Sequence, residues 1–192
     1  MKSIGNLLRR LIYIAIILGY TITSIIYSLS SASTLESYSR EKFRHWIDKD
    51  SDCQNTKTEI IIRDSTTAKL SPNSCTVLSS TLLDPYSGEI INYPEEFIDV
   101  DHIVPLKEAW ASGASTWTSA KREAFANDPN NLLAVSAHLN RQKGSKDPSL
   151  WIPPNKAYRC TYLKKWAAIK FTYSLDSDIQ ESVFIKQNLK TC

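Results

Sequence analysis

The chain has 192 residues, of which 42% are hydrophobic, and this is enough for one domain with a buried core. Its formal net charge is only +3, which excludes a protein whose whole surface is basic and binds polyanions everywhere. The charge is unevenly spread: residues 34–137 carry 10 basic and 16 acidic residues, whereas residues 138–170 carry 8 basic residues and one acidic residue, Asp147. This distribution favours one localised polyanion site, although a solvated helix face would explain much of the same block.

The first 33 residues have the pattern of a targeting segment. Basic residues at positions 2, 9 and 10 precede an apolar run over residues 11–29, and small residues follow. The pattern predicts a secretory signal that is cleaved after Ala32 or Ser33. Because the apolar run is nearly long enough to cross a bilayer, an uncleaved membrane anchor over residues 11–29 is the alternative. Either way, residues 34–192, the predicted single domain, are secreted or anchored outside the cytoplasm.

The chain has four widely spaced cysteines, Cys53, Cys75, Cys160 and Cys192, with no Cys-x-x-Cys pair. This spacing argues against a zinc cluster, and an even number of cysteines behind an export signal favours disulfides. Three pairings are open, and we favour Cys53–Cys75 together with Cys160–Cys192. The competing interpretation is a catalytic Cys160 thiol working with His102, which requires a free thiol.

The first part of the domain gives a mixed pattern. Apolar residues spaced along residues 35–47 predict a helix, on which His45 is an exposed or capping residue rather than part of a site. Three aspartates follow at positions 48, 50 and 52, but they lack the glycine and the distal glutamate of a calcium loop and indicate a polar turn. Residues 59–63 form a strand or a helix, and a loop-rich connection follows with one short strand at residues 75–78.

The middle and the end of the chain alternate between strand and helix patterns. Residues 97–104 and 132–135 are the predicted strands, and helices are expected over residues 106–112, 118–127 and 137–142. Aromatic and aliphatic residues from Tyr158 to Tyr173 recur every three or four positions, which predicts one face of a long helix packed on the core. Ser177 and Gln180 suggest a capping box that opens a last helix. The predicted fold class is therefore α+β, mostly helical and braced by disulfides.

Four polar residues around the two predicted strands could hydrolyse a phosphodiester bond. A neutral His102 imidazole can take the proton of a water, and Asp101 and Asn140 offer oxygen ligands for a hard cation such as Mg²⁺. Alternation along the strand puts Asp101 and His102 on opposite faces, so we expect the strand to end or twist there. Asn131 suits a hydrogen bond to the backbone of the His102 loop, and His138 is an alternative ligand to Asn140.

Basic residues near this group are expected to meet the phosphates of the substrate. Phosphate contacts come mostly from Arg and Lys, and they position a nucleic acid without reading its bases. Four members of the basic block are the candidates: Arg141, Lys143, Lys146 and Arg159.

These motifs together resemble a known family. Residues 101–106 read DHIVPL, Asn131 precedes an apolar strand, and residues 140–144 read NRQKG. In this order they look like the HNH, or His-Me finger, endonucleases, and more narrowly the chain is similar to secreted HNH endonucleases. Further similar stretches bring the likeness to most of residues 38–192: residues 52–53, 84–88, 109–114, 125–128, 143–148, 151–154 and 159–160.

The resemblance implies a ββα-metal core that cuts nucleic acid with one divalent cation. It implies that His102 is the general base, that Asp101 and Asn140 ligate the metal, and that Asn131 is the middle residue of the motif. The third position is histidine in many relatives, and Asn140 stands there in this chain.

We therefore expect an exported, monomeric, Mg²⁺- or Mn²⁺-dependent endonuclease whose substrate is DNA. Low sequence specificity is expected because no recognition helix, zinc finger or repeat array is visible in the sequence. The alternative is an extracellular or membrane-anchored module that binds nucleic acid on the same fold without cutting it.

Overall fold

The computed structural model describes residues 36–192, so the predicted signal or anchor over residues 1–33 lies outside the described residues. Within the described part, Tyr38–Cys192 form one compact unit of mixed α and β structure. Between residues 36 and 192, no helix combines the length and the apolar character that crossing a membrane requires.

The unit contains helices and short strands that alternate along the chain. The helices are α1 (Thr56–Asp64), α2 (Leu106–Ala111), α3 (Ser119–Ala126), α4 (Ala137–Lys143), α5 (Arg159–Tyr173) and α6 (Ile179–Leu189). The strands are β1 (Thr67–Leu70), β2 (Val77–Leu83), β3 (Ile90–Tyr93), β4 (Ile98–His102) and β5 (Leu132–Ser136). Strands β1, β2 and β3 form one antiparallel sheet in that order, and β4 pairs with β5 in a second antiparallel sheet.

The segment over residues 38–47, which we call the arm, is not the predicted helix. Its helical content is a single 3₁₀ turn at Arg40–Lys42, after which Phe43 is extended and Trp46 takes a positive φ of 60°. The rings of Tyr38 and Phe43 each lie 6.2 Å from the ring of Trp110 on α2. The apolar spacing that predicted a helix therefore comes from aromatic residues that pack one by one against the rest of the fold.

The region between Asn55 and β4 holds more regular structure than predicted. Residues 59–63 belong to α1, whose first turn is capped by the Asn55 side chain accepting from the Thr58 N–H at 3.0 Å. The three-stranded sheet follows, where only one short strand at residues 75–78 was expected. Strands β1 and β3 have only four residues each, and the middle of β2 reads Ser79-Ser80-Thr81. The sequence therefore lacks the apolar alternation that marks a half-buried strand.

The predicted order of strand, strand and helix around the central motif is confirmed. In the β4–β5 pair, Asp101 lies opposite Leu133 and His102 opposite Leu132. Helix α4 begins directly after β5 and packs against both strands. It ends at Gly144, which takes a φ of +57° that an L-residue rarely adopts.

The core has two clusters: the larger includes aromatic and aliphatic residues on α2, α3, α5 and the arm, and the smaller is aliphatic and joins α1 to both sheets. As predicted, α5 presents one inward face on which Tyr162, Trp166 and Ile169 are buried. Both favoured disulfides, Cys53–Cys75 and Cys160–Cys192, are formed, and the second ties the end of the chain to the start of α5. These bonds leave no free cysteine among residues 36–192.

The start of the last helix differs from the prediction. The N-cap is Asp178, whose carboxylate accepts from the Glu181 N–H at 2.8 Å, so the Ser177 and Gln180 capping box is wrong by one residue. The shift places Glu181, rather than Gln180, in the first turn facing α5.

A buried polar network joins α2, α5 and α6. The Lys170 ammonium donates to Glu108 at 2.8 Å and to Glu181 at 2.7 Å, and the Trp166 indole N–H donates to the other oxygen of Glu181. Glu181 is 1% exposed and Lys170 is 4% exposed. Because an unpaired charge at such a position would be costly, the network fixes how the C-terminal helices pack.

We expect Lys170→Met to lower the free energy of unfolding by about 3–5 kcal/mol, since it leaves Glu181 buried without its cation. Lys164→Met, at an exposed position on the same helix, should change it by about 0.5 kcal/mol or less. Urea unfolding of both variants measures the difference, and equal midpoints would contradict the structural role of the network.

Candidate active site

Asp101, His102 and Asn140 line one cleft of about 330 Å³ where the β4–β5 pair meets α4. His102 is the last residue of β4, so the strand ends at this pair, as the sequence analysis required. The cleft is completed by residues from three other parts of the chain: Tyr38 and Arg40 on the arm, Pro105, Leu106 and Lys107 at the start of α2, and Gly144 and Ser145 after α4.

A larger groove of about 920 Å³ runs between α1 and α3. Its lining mixes acidic and basic side chains and contains no histidine and none of the predicted site residues. The smaller cleft is therefore the better candidate, because the chemistry that a site requires is concentrated there.

The ring of His102 is held in one orientation and one protonation state. Its Nε2 lies 2.8 Å from the backbone oxygen of Ala126. Because a carbonyl oxygen only accepts, Nε2 carries the proton, and the lone pair of the neutral ring is on Nδ1. Burial lowers the pKa of His102 to about 3, so the ring is neutral at pH 7. The rings of Trp46 and His45 lie 5.4 Å and 6.4 Å from it and cover it from the arm.

The carboxylate of Asp101 is buried and is held by two side chains. The Tyr86 hydroxyl donates to Oδ2 at 2.6 Å, and the Lys143 ammonium lies 3.0 Å from Oδ1 and 2.9 Å from Oδ2. Burial raises the pKa of Asp101, and the positive charge of Lys143 opposes this rise. Lys143 also donates to the backbone oxygen of His102 at 2.9 Å, so one ammonium fixes both residues of the pair.

The prediction that Lys143 contacts substrate phosphate disagrees with the structure. Its side chain is fully buried, because it points from the last turn of α4 towards the carboxylate of Asp101. Arg159 does not line the cleft either, and it donates to the backbone oxygen of Pro153 at 2.8 Å. Arg141 and Lys146 are exposed at the end of α4 and just after it, beside the cleft residues Asn140 and Ser145.

The two asparagines differ in what they contact. The buried Asn131 side chain accepts from the Val104 N–H at 2.8 Å and donates to the Val104 oxygen at 3.3 Å, as the sequence suggested for a residue that fixes the loop after His102. Asn140 donates from Nδ2 to Asp99 at 3.3 Å, and no donor within residues 36–192 reaches its Oδ1. His138 is exposed and does not line the cleft.

The three aspartates that follow the arm lie close together at the surface. The carboxylates of Asp48, Asp50 and Asp52 approach within 4.8 Å of one another. Asp48 accepts from the Cys53 N–H at 3.0 Å and Asp52 from the Gln54 N–H at 2.7 Å. These contacts agree with the polar turn predicted from the sequence.

Sequence reasoning missed several residues of the site. Tyr86 was noted only as part of residues 84–88, one of the stretches that resemble the family, and no role was given to it. In the structure the buried Asp84 carboxylate accepts from the Tyr86 N–H, and the Tyr86 hydroxyl donates to Asp101. All three of Arg40, His45 and Trp46 were assigned to a helix over residues 35–47, with Trp46 on its apolar face and with His45 as an exposed or capping residue. No local pattern could place them, because their approach to His102 depends on the path of the arm over the core.

Comparisons with known proteins, like the sequence motifs, indicate a family of nucleases. The model of the family described as "GmrSD restriction endonucleases, C-terminal domain" matches residues 48–187. An uncharacterized secreted protein of Arthroderma benhamiae is 38% identical over 159 residues, which covers 82% of this chain and 76% of that protein. No solved structure matches the chain.

We expect Lys143→Met to lower the free energy of unfolding by about 3–5 kcal/mol, because Asp101 is then buried without a cation. The double variant Lys143→Met with Asp101→Asn removes both charges and should recover most of that loss. Chemical unfolding of both single variants and of the double variant measures the coupling. A strictly additive result would contradict the buried ion pair.

Proposed function

The chain belongs to the family of GmrSD restriction endonuclease C-terminal domains, and on this premise we propose that it is a metal-dependent endonuclease with His102 as the general base. The family indicates a nuclease-like role with nucleic acid as the substrate class. One observation carries the more specific proposal: a buried, neutral histidine shares a cleft with a carboxylate and an amide oxygen.

The geometry of His102 supports its role as a base. The Ala126 oxygen holds the Nε2 proton, so Nδ1 is the atom that accepts a proton from an attacking water. Asn131 acts indirectly, by fixing the backbone that follows His102. The ring of Trp46 also packs on His102, and a side chain that is already fixed loses less entropy when it aligns with a water.

The residues in the cleft fit a hard divalent cation, Mg²⁺ or Mn²⁺. Asp101 would hold it through a lone pair left over from its two hydrogen-bonding partners, and Asn140 through its unpartnered Oδ1. Such an ion would neutralise charge on the phosphate and stabilise the departing oxygen. The exposed Arg141 and Lys146 would meet flanking phosphates, which gives affinity without sequence specificity.

On this proposal, the β4–β5 pair and α4 are the ββα-metal core of an HNH endonuclease. We propose DNA as the substrate and a monomer as the active form. The relative is named a secreted protein, and both disulfides suit an oxidising compartment, so we propose that the domain is exported by means of residues 1–33.

We expect His102→Ala to slow the nicking of supercoiled plasmid DNA in Mg²⁺ by at least about 100-fold, since a positioned general base contributes this much or more. His138→Ala, at an exposed position outside the cleft, should cut at the parental rate. Near-ultraviolet circular dichroism checks that both variants are folded. Parental cutting by folded His102→Ala would contradict the role of this histidine, and binding without any cutting by the parent would favour the non-catalytic module.

We also expect exhaustive chelation to abolish cutting, and added Mg²⁺ or Mn²⁺ to restore it, because on this proposal the ion held by Asp101 and Asn140 stabilises the departing oxygen. The disulfides do not depend on a metal, so the fold should persist in the chelator. Full activity after chelation would exclude a metal role.

A further inference from the structure

Two exposed basic residues line the cleft from elements outside the β4–β5 pair and α4. Arg40 comes from the 3₁₀ turn of the arm, and Lys107 comes from the first turn of α2. They are about 67 positions apart in sequence, and neither belongs to the basic block of residues 138–170. The cleft is therefore lined by two basic side chains that the sequence analysis did not assign to the site.

Arg40 is connected to His102 through the side chain of His45. Its Nε donates to His45 at 3.3 Å, and the ring of His45 lies 6.4 Å from that of His102. The guanidinium also contributes to lowering the pKa of His102, after the larger effect of burial. An arginine has five N–H donors, so donors remain on Arg40 for a group in the cleft.

Lys107 has no hydrogen-bond or ion-pair partner anywhere in Tyr38–Cys192, although it lies on the rim of a cleft. Glu41, the acidic neighbour of Arg40 on the arm, is exposed to solvent, accepts from Ser39 and does not line the cleft, so it offsets the charge of Arg40 only in part. Asp101 is already paired with Lys143, and Asp99 accepts from Asn140. Arg40 and Lys107 consequently make the rim positive, which suits an anionic ligand that lies across the cleft.

We propose that Arg40 and Lys107 bind backbone phosphates of the nucleic acid on either side of the one that is cut. The inference rests on the proposed function, and it makes the arm part of the substrate-binding surface. The arm lies before residue 48, where the family match begins, so the match itself does not assign it this role.

The test compares Arg40→Gln and Lys107→Gln in the full-length protein. Matched controls are Arg44→Gln, on the same arm but outside the cleft, and Lys69→Gln, exposed on β1. Binding of a fluorescent DNA duplex is measured by anisotropy in EDTA at several salt concentrations, and cleavage is measured in Mg²⁺. Arg40→Lys is included because it keeps the charge of the side chain.

Each of the two cleft variants should weaken binding roughly 10-fold and reduce the slope of log K against log salt by about 0.9, the value for one lost phosphate contact. In the same two variants KM should rise, while kcat changes far less. Arg40→Lys should keep the parental salt slope. The two controls should match the parent in binding and cleavage. A purely structural role for Arg40 would instead lower the unfolding midpoint without changing the salt slope.

Two results would overturn the proposal while leaving the nuclease function intact. One is a parental Kd and salt slope in Arg40→Gln and Lys107→Gln when the parent cuts DNA. The other is an equal loss in the two controls, which would show a general effect of net charge. A parent that neither binds nor cuts nucleic acid would instead refute the proposed function, and this inference with it.

Discussion

The buried ion pair between Asp101 and Lys143 is the interaction on which the rest of the site depends. It joins β4 to the last turn of α4, and the Tyr86 hydroxyl adds the turn between β2 and β3 to the same carboxylate. The Lys143 ammonium also binds the backbone oxygen of His102, so it determines how β4 ends. A buried charge that loses its partner is costly, and the three elements are therefore held in one arrangement.

This pairing also determines the charge of the cleft. Of the two proposed metal ligands, Asp101 is already balanced by the Lys143 ammonium, and Asn140 is neutral. Divalent cations bind more weakly when fewer net negative ligands surround them. On the proposed function, substrate phosphate supplies the missing negative charge, so that nucleic acid and metal bind together. The positive rim at Arg40 and Lys107 fits this arrangement, because it attracts phosphate rather than the free ion.

The sequence predicted the parts of the fold that local patterns encode. The two strands β4 and β5, the helix α4, the long α5 and both disulfides follow from periodicity and cysteine spacing, although β4 ends at His102, two residues before its predicted end. The helix predicted over residues 35–47 was wrong because its aromatic spacing imitates a helix. The rings of Tyr38 and Phe43 instead pack against Trp110, and the ring of Trp46 packs against His102. The burial of the Lys143 side chain could not be predicted from the sequence either. A lysine near the end of a helix is normally exposed, and the burial of this one is explained by its pairing with Asp101 in the folded structure.

Crystals soaked in Mn²⁺ and measured at its absorption edge would test the central claim most directly. We expect an anomalous peak in the cleft, bonded to a carboxylate oxygen of Asp101 and to Oδ1 of Asn140, with His102 Nδ1 facing the position of the phosphate. No peak there, or a peak only at the aspartates of residues 48–52, would contradict the account.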